Sequence, residues 1–265
     1  MRMLAMDVDG TCLNSSHRIS MKTLYALRMA AEAGIEIVPT TGRALSCLPR
    51  QLLNEPYIRY VISSNGAVVT DLKYNRTIYD AQIPFAEACD ILDACKDINT
   101  GIEAHIHSEA FVESSMLMML SGFSYGRYSS HNKSVRNLRA YLESGHSDAE
   151  ELRFYTSSSH VCDRMREILQ NYPGIITNSL SRFIEVYADK ATKGDAVSAL
   201  ADYLSFRNEH VACVGDGRND LSMFRVCGMK FAMGNAAQEL KDEADYILPS
   251  NNHSGIALAI EKYLL

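Results

Sequence analysis

The stretch Met3-Leu4-Ala5-Met6-Asp7-Val8-Asp9-Gly10-Thr11 carries the strongest structural signal in the chain. Its four apolar residues give way abruptly to two acids, which is typical of a buried parallel strand that delivers polar side chains at its carboxyl end. Gly10 can follow a sharp turn because it tolerates backbone conformations that other residues avoid. The stretch therefore predicts a buried strand whose end carries chemistry.

An alternation of helices and strands continues from this first strand. Ser20 can cap a helix and Gly34 can end it, after which the apolar residues 35–38 form a second strand. A further helix is expected over residues 45–53, followed by a third strand at 60–63. This order predicts a parallel sheet with right-handed crossover connections.

The alternation is interrupted in the middle of the chain and then resumes. A hairpin follows the third strand, and helices and strands of mixed order come after it. The helix at 193–204 and the strand at 210–214 restore the first pattern. We expect an α/β core of residues 1–82 and 188–265, with an α+β domain inserted at 83–187.

The composition excludes several classes of protein. The chain has 265 residues, is 47% hydrophobic and carries a net charge of -6, whereas a general nucleic-acid binder is expected to be basic. No apolar stretch reaches the roughly 18–20 residues that cross a bilayer. Seven scattered cysteines favour reduced thiols over a disulfide framework. We therefore expect a cytoplasmic protein with no nucleic-acid or membrane partner, while the sequence leaves the oligomeric state open.

Four polar segments lie at or beside the ends of predicted parallel strands. They are Asp7–Thr11, Thr41-Gly42-Arg43, Lys193-Gly194 and Gly215-Asp216-Gly217-Arg218-Asn219-Asp220. In an open α/β sheet, ligands bind in the crevice at the carboxyl ends of the strands. Segments far apart in the sequence are therefore expected to meet in space.

A meeting of these segments would bring up to four carboxylates together, those of Asp7, Asp9, Asp216 and Asp220. Two like charges about 4 Å apart at an effective dielectric constant of about 20 repel each other by about 4 kcal/mol. Such a cluster requires a cation, and an all-oxygen ligand set suits Mg²⁺.

Carboxylates, a cation, a lysine and a hydroxyl together provide what phosphoryl transfer requires, namely positioning and charge neutralisation. Asp7 lies at the tip of a strand and suits in-line attack on phosphorus as the nucleophile. Asp9 lies beyond the strand end, where it can protonate the leaving alcohol and then activate water. Lys193 supplies positive charge and the hydroxyl of Thr41 a hydrogen bond to the phosphoryl oxygens.

In family order, these segments resemble the four motifs of the haloacid dehalogenase (HAD) superfamily, specifically its Cof-like subfamily IIB phosphatases. Residues 7–11 resemble the first motif, 40–43 the second, Lys193-Gly194 the third and 215–220 the fourth. Stretches 64–67 and 232–236 are also similar to that branch. The resemblance implies a Rossmann-like core with an inserted cap of type C2B, and it spans the whole core.

The resemblance also implies a site and a reaction. The implied reaction is hydrolysis of a small phosphorylated metabolite, a sugar phosphate or a similar ester, through an aspartyl-phosphate on Asp7. The implied metal ligands for Mg²⁺ are Asp7, the backbone carbonyl of Asp9, Asp216 and Asp220, and the implied phosphate ligands are Thr41, Gly42, Lys193 and Asn219.

Two other functions stay open at this point. A phosphomutase on the same scaffold would return the phosphoryl group to its sugar. A receiver-like regulatory domain also uses acids, Thr, Lys and Mg²⁺, but it is shorter and lacks a second acidic cluster near residue 216.

Two features outside the four motifs have ordinary explanations. His105 and His107 alternate along a predicted strand, where such histidines are more often packed or solvated than metal ligands. The methionines at 116, 118 and 119 are expected to fill gaps in the inserted domain.

Overall fold

The structure is a computed structural model that describes residues 1–113, 132–156, 158–179 and 183–265. The methionines at 116, 118 and 119 lie outside these residues. The strands are β1 (Met3–Met6), β2 (Glu36–Pro39), β3 (Tyr60–Ser63), β4 (Val68–Asp71), β5 (Arg76–Asp80), β6 (Gly101–Ile106), β7 (Glu109–Val112), β8 (Lys133–Ser134), β9 (Glu151–Tyr155), β10 (Ile175–Ser179), β11 (Phe183–Ala188), β12 (Val211–Gly215), β13 (Met229–Ala232) and β14 (Tyr246–Ile247). The α-helices are α1 (Met21–Glu32), α2 (Arg50–Leu53), α3 (Phe85–Cys95), α4 (Leu138–Gly145), α5 (Ser159–Leu169), α6 (Lys193–Tyr203), α7 (Leu221–Val226), α8 (Gln238–Asp242) and α9 (Gly255–Ala259).

A five-stranded sheet of order β14-β13-β12-β1-β2 has only parallel pairs. Strand β1 is buried along its whole length, as expected for a parallel strand covered on both faces. Met6 pairs with Val214 of β12 and with Pro39 of β2. The residues that follow β1 and β12 therefore leave the sheet side by side at the same edge.

Strands β3, β4 and β5 form an antiparallel three-stranded sheet beside the parallel one. A parallel bridge joins Thr40, directly after β2, to Ile62 of β3. The amide of Thr40 also donates to the carbonyl of Met6, 2.8 Å away. The segment after β2 is thereby fixed next to the end of β1.

The predicted helix over residues 45–53 is wrong. A short turn at Leu45–Cys47 is followed by an extended Leu48, and α2 begins only after Pro49. Proline has no amide hydrogen and disfavours the helical conformation in the residue before it, so a continuous helix cannot pass this point.

The part of the chain between the two core segments forms a separate α+β unit. Its sheet has the order β10-β11-β9-β6-β7-β8 and is antiparallel except for the pair β7–β8. Helices α3, α4 and α5 belong to the same unit, and α3 packs on the other two. The predicted fold class, an α/β core with a mainly parallel sheet and an inserted α+β part, is confirmed.

The contacts divide the chain into two compact units. The first contains residues 1–42, 49–80 and 192–265, and the second contains 43–48 and 81–191. The predicted domains, 1–82 with 188–265 and 83–187, stay a prediction about which parts fold independently. Across the described ranges, every helix is too short or too polar to cross a membrane.

Candidate active site

Lys193 joins two carboxylates inside the first unit. It is the first residue of α6, whose start is fixed by Thr192, since the Thr192 hydroxyl accepts a hydrogen bond from the amide of Asp195. The Lys193 ammonium donates to Asp7 Oδ1 and to Asp220 Oδ1, each 2.7 Å away. Burial opposes its charge, but the two carboxylates outweigh it and raise the pKa of Lys193 well above its ordinary value. The lysine is therefore a fixed positive charge.

Asp7 is a buried acid with an excess of negative charge around it. Burial, followed by the charges of Asp220 and Asp216, raises the pKa of Asp7 well above its ordinary value, although Lys193 opposes the shift. Its Oδ2 is buried and accepts no hydrogen bond from the described residues. A buried, unsatisfied carboxylate oxygen is costly unless a further cation or donor reaches it.

The turn after β1 passes directly against the side chain of Asp216. Gly10 has a φ of +77°, and a Cβ built there would lie 2.2 Å from Asp216 Oδ2, so glycine is required. The Thr11 hydroxyl donates to Asp216 Oδ1 at 3.1 Å, and the Asn235 amide donates to Oδ2 at 3.2 Å. Burial and the charge of Asp220 raise the pKa of Asp216 to about 6, and Thr11 opposes this.

Both carboxylate oxygens of Asp220 accept hydrogen bonds within the site. Its Oδ2 accepts from the amides of Asp216 and Gly217, both at 2.9 Å, while its Oδ1 accepts from Lys193. Gly215 permits this approach, because a Cβ there would lie 2.3 Å from Asp220 Oδ2. The carboxylate thus shapes the loop after β12 and holds Lys193 in place.

The acids form a group of the right composition for a hard cation. Carboxylate oxygens of Asp7, Asp216 and Asp220 all lie within 4.8 Å of one another. An oxygen-only set with an orphaned carboxylate oxygen fits Mg²⁺, which takes a few carboxylates and keeps several waters. Asp9 lies in the same turn as Gly10, with an extended backbone (φ -81°, ψ 125°) and partial exposure.

Three of the four predicted phosphate ligands contact one further residue, Asn65. They are Thr41, Gly42 and Asn219. The backbone carbonyl of Thr41 accepts from the Asn65 amide at 3.0 Å, and a Cβ at Gly42 would lie 3.0 Å from Asn65 Oδ1. The side-chain amide of Asn219 donates to the same Oδ1 at 3.0 Å. Thr41 is buried, while Asn219 lies in the turn that precedes α7.

The structure thus brings Asp7, Lys193, Asp216 and Asp220 together, with Thr41, Gly42 and Asn219 joined through Asn65. Sequence reasoning gave no role to Thr11, Asn65 or Asn235, although all three lie within stretches that it quoted as typical. Their signal was position: each is a polar residue just beyond the end of a core strand. Position alone marks them as candidates, but it does not show which contacts they make.

A second cluster of buried charge lies on one face of the sheet in the other unit. Arg153 contacts Glu151, Glu185 at 3.3 Å and Glu103 at 3.6 Å, and all four side chains are buried. Burial opposes ionisation, but His105, Arg153 and Tyr155 hold the pKa of Glu103 below its ordinary value. This cluster follows the strand register, since Arg153 is paired with Glu103 on one side and Glu185 on the other.

The two histidines do not share a strand face. His105 is buried and its Nε2 lies 3.2 Å from Glu103 Oε1. His107 lies beyond the end of β6, is exposed, and has a φ of +50°. His105 is therefore packed against Glu103, and His107 is solvated.

Comparison with known proteins identifies the family. The family model for haloacid dehalogenase-like hydrolases matches residues 4–260. Phosphatase YwpJ of Bacillus subtilis is 31% identical, over 97% of this chain and 98% of its own length. YwtE of the same organism, named a 5-amino-6-(5-phospho-D-ribitylamino)uracil phosphatase, is 28% identical over 100% and 98% of the two chains.

A solved structure supports the same assignment. A haloacid dehalogenase-like hydrolase from Bacillus subtilis superposes with a TM-score of 0.89 at 26% identity, covering 99% of this chain and 100% of that one. The predicted superfamily and the predicted enzyme class, a phosphatase, are confirmed. The chain belongs to the haloacid dehalogenase-like hydrolases.

Proposed function

We propose that this protein is a Mg²⁺-dependent phosphatase that hydrolyses a small phosphorylated metabolite through an aspartyl-phosphate on Asp7. One observation carries the proposal. Asp7 is a buried carboxylate that Lys193 holds by one oxygen, while its other oxygen faces an acidic group without a hydrogen bond from the described residues. A carboxylate in this state is held in position and has an oxygen that can attack phosphorus.

In the first half-reaction, a carboxylate oxygen of Asp7 attacks the phosphorus of the ester. The bond between phosphorus and the alcohol oxygen breaks, and Asp9 gives its proton to the departing alkoxide. Lys193, the Thr41 hydroxyl and the Asn219 amide donate to the phosphoryl oxygens, which carry the developing charge. The products of this step are the alcohol and a phosphorylated Asp7.

In the second half-reaction, Asp9 acts as a base and takes a proton from water, whose oxygen attacks the phosphorus of the aspartyl-phosphate. The bond between phosphorus and the Asp7 oxygen breaks, which releases inorganic phosphate and restores the Asp7 carboxylate. Asp9 can serve in both steps because the first step leaves it deprotonated, and a base in the second step must be deprotonated.

The acids that surround Asp7 would hold the metal. Asp7, Asp216 and the backbone carbonyl of Asp9 would hold Mg²⁺, with Asp220 as a supporting charge whose oxygens already accept hydrogen bonds. When bound, the ion neutralises the repulsion between carboxylate and phosphate and orients the phosphoryl group. The protein's own contribution is to keep the carboxylates in place before the ion arrives.

The proposed substrate class is a phosphate monoester of a sugar or a similar polyol. A relative with 28% identity is named for a ribityl phosphate ester, which supports a small polyhydroxylated substrate. The predicted partner is therefore a small phosphorylated metabolite, and a cytoplasmic location and the absence of nucleic-acid partners stay predictions.

Release of inorganic phosphate tests the proposal. With Mg²⁺ present, p-nitrophenyl phosphate should be hydrolysed for many turnovers, and a panel of sugar phosphates should reveal preferred esters. A phosphomutase would require a bisphosphate and release little phosphate. A receiver-like domain would stop after one equivalent of phosphoryl transfer, and either result would refute the phosphatase.

A further inference from the structure

The turn that follows β3 has an unusual backbone. Ser64, Asn65 and Gly66 have φ values of +49°, +57° and +107° in succession. Left-handed conformations of residues other than glycine cost energy and persist where surrounding contacts impose them. The contacts of this turn therefore indicate what holds it in this conformation.

The turn contacts two of the predicted phosphate-binding segments through its backbone. The Asn65 amide donates to the carbonyl of Thr41 at 3.0 Å. A Cβ at Gly66 would lie 2.2 Å from the carbonyl oxygen of Thr192 and 2.8 Å from the amide nitrogen of Lys193, so the turn packs directly on the start of α6. These contacts fix the positions of Thr41 and Lys193 relative to the turn that carries Asn65.

The side chain of Asn65 contacts a third such segment. Its Oδ1 accepts a hydrogen bond from the Asn219 amide at 3.0 Å, and it packs against the α-carbon of Gly42. An amide group has two N–H donors on one atom and an acceptor on the other. Because Asn65 Oδ1 is an acceptor, the nitrogen of the Asn219 side-chain amide, and not its oxygen, must face it. The second N–H of that nitrogen is then available to an anion.

We propose that Asn65 is a positioning residue for phosphate binding, which acts by orienting the amide of Asn219. The proposal rests on the proposed phosphatase function, because it gives Asn219 the task of donating to the phosphoryl group. It adds a residue that touches no reacting atom but determines how a phosphate ligand is presented.

The variant Asn65→Gly tests the contribution of the side chain separately from that of the backbone conformation. Glycine adopts the left-handed conformation readily, so the turn is kept while the acceptor for Asn219 is lost. Asn75→Gly is the matched control, since Asn75 also has a left-handed φ (+47°) and lies exposed in the turn between β4 and β5. Melting temperatures of both variants establish that they are folded and report any cost of the added glycine.

The readout is inhibition by inorganic phosphate together with the Mg²⁺ requirement. Asn65→Gly should raise the inhibition constant for phosphate and lower kcat/KM by about tenfold, the upper range for one hydrogen bond. The Mg²⁺ concentration for half-maximal activity should stay within about twofold, which a general loosening of the site would not preserve. Asn75→Gly should match the wild type in every respect.

A double-mutant cycle tests whether Asn65 acts through Asn219. Asn219→Ala should weaken phosphate inhibition, and adding Asn65→Gly to it should cause little further change, because residues that share one interaction are not additive. Independent, multiplicative effects would overturn the proposal, as would an unchanged inhibition constant in Asn65→Gly. If the wild type releases no phosphate from any ester, the proposed function fails instead, and the two failures are distinct.

Discussion

The two units each contain three buried or half-buried carboxylates near one buried cation, but the charges are arranged differently. In the first unit, the ammonium of Lys193 bonds two of the three acids and leaves Asp216 to other donors. In the second unit, the guanidinium of Arg153 contacts all three glutamates. The pKa of Asp7 is raised, mainly by burial, and the pKa of Glu103 is lowered by its partners despite burial.

This difference distinguishes the cluster that we propose as the active site from the cluster of the second unit. Around Asp7 and Asp216, whose pKa values are raised, positive charge is in deficit, and a cation can supply it. Around Glu103, whose pKa its partners lower, there is no such deficit. Burial of charge alone therefore does not indicate a functional site, whereas incomplete compensation of that charge does.

The largest effect is expected for Asp7→Asn. Loss of the nucleophile should lower kcat by at least about 1,000-fold. The melting temperature in metal-free buffer should not fall, because the change removes a carboxylate whose charge is unfavourable there, and Lys193 keeps Asp220 as its partner. Activity is measured as phosphate release and stability by circular dichroism. Retention of wild-type turnover would end the assignment of Asp7 as nucleophile.

Removal of the metal should have the next largest effect. EDTA should silence hydrolysis, and Mg²⁺ should restore it. Mg²⁺ at about 100 times its dissociation constant should also stabilise the folded protein by about 2.7 kcal/mol. This stabilisation is measured as a thermal shift without substrate.

Asp216→Asn should abolish most of the thermal shift, because it removes a proposed ligand. Asp242→Asn is the control, since Asp242 is an exposed acid of the same unit. A full shift in Asp216→Asn would mean that the ion binds elsewhere. Activity that survives exhaustive chelation would exclude the metal from the mechanism.

These predictions depend on a site that the sequence located to a large extent. Asp7, Thr41 and Asp216 could be assigned to one edge because the parallel strands β1, β2 and β12 present their carboxyl ends together. Lys193 does not follow a strand of that sheet; it comes after β11 and begins α6. Residues 45–53 do not form one helix, because Pro49 interrupts it. Asn65 was overlooked because its role depends on a left-handed turn and on contacts between segments distant in sequence, which periodicity does not report.

The second cluster was also beyond the sequence. Glu103, Arg153 and Glu185 lie 50 and 32 positions apart, and only the register of β6, β9 and β11 places them side by side. Each strand taken alone would be assigned a polar, solvated face. Which face of a strand is buried depends on what packs against it, and that information is not local.

Arg153→Met tests the claim that the second cluster is internally compensated. Removing the cation leaves three buried glutamates near one another, which should cost about 3–5 kcal/mol of unfolding free energy. Urea denaturation measures this loss. Arg139→Met is the control, because Arg139 forms an exposed ion pair with Asp93 and should leave the midpoint nearly unchanged. A loss of less than about 1 kcal/mol would show that the glutamates do not depend on Arg153.

The smallest effect is expected for Asp71 in the first unit, which is compensated mainly by Arg59, with Arg76 3.8 Å away. The buried Asp71 carboxylate accepts from Arg59 Nε at 3.2 Å and Nη2 at 2.8 Å, and from the backbone amide of Lys73 at 3.0 Å. Arg59 holds the pKa of Asp71 below its ordinary value. Asp71→Asn should cost about 1.5–3 kcal/mol at neutral pH, the range for hydrogen bonds to a charged group.

The pH dependence of this loss has a definite sign. Because the pKa of Asp71 is lower in the folded than in the unfolded protein, its stabilisation is fully present above the unfolded value of about 3.9 and is lost as the pH falls below it. The difference between wild type and Asp71→Asn in urea should therefore be constant from pH 7 to about pH 5 and shrink towards pH 3. A difference that stays constant down to pH 3 would mean that packing, and not the ionised carboxylate, accounts for it. The compensated pair would then be a poor standard against which to judge the deficit of charge around Asp7.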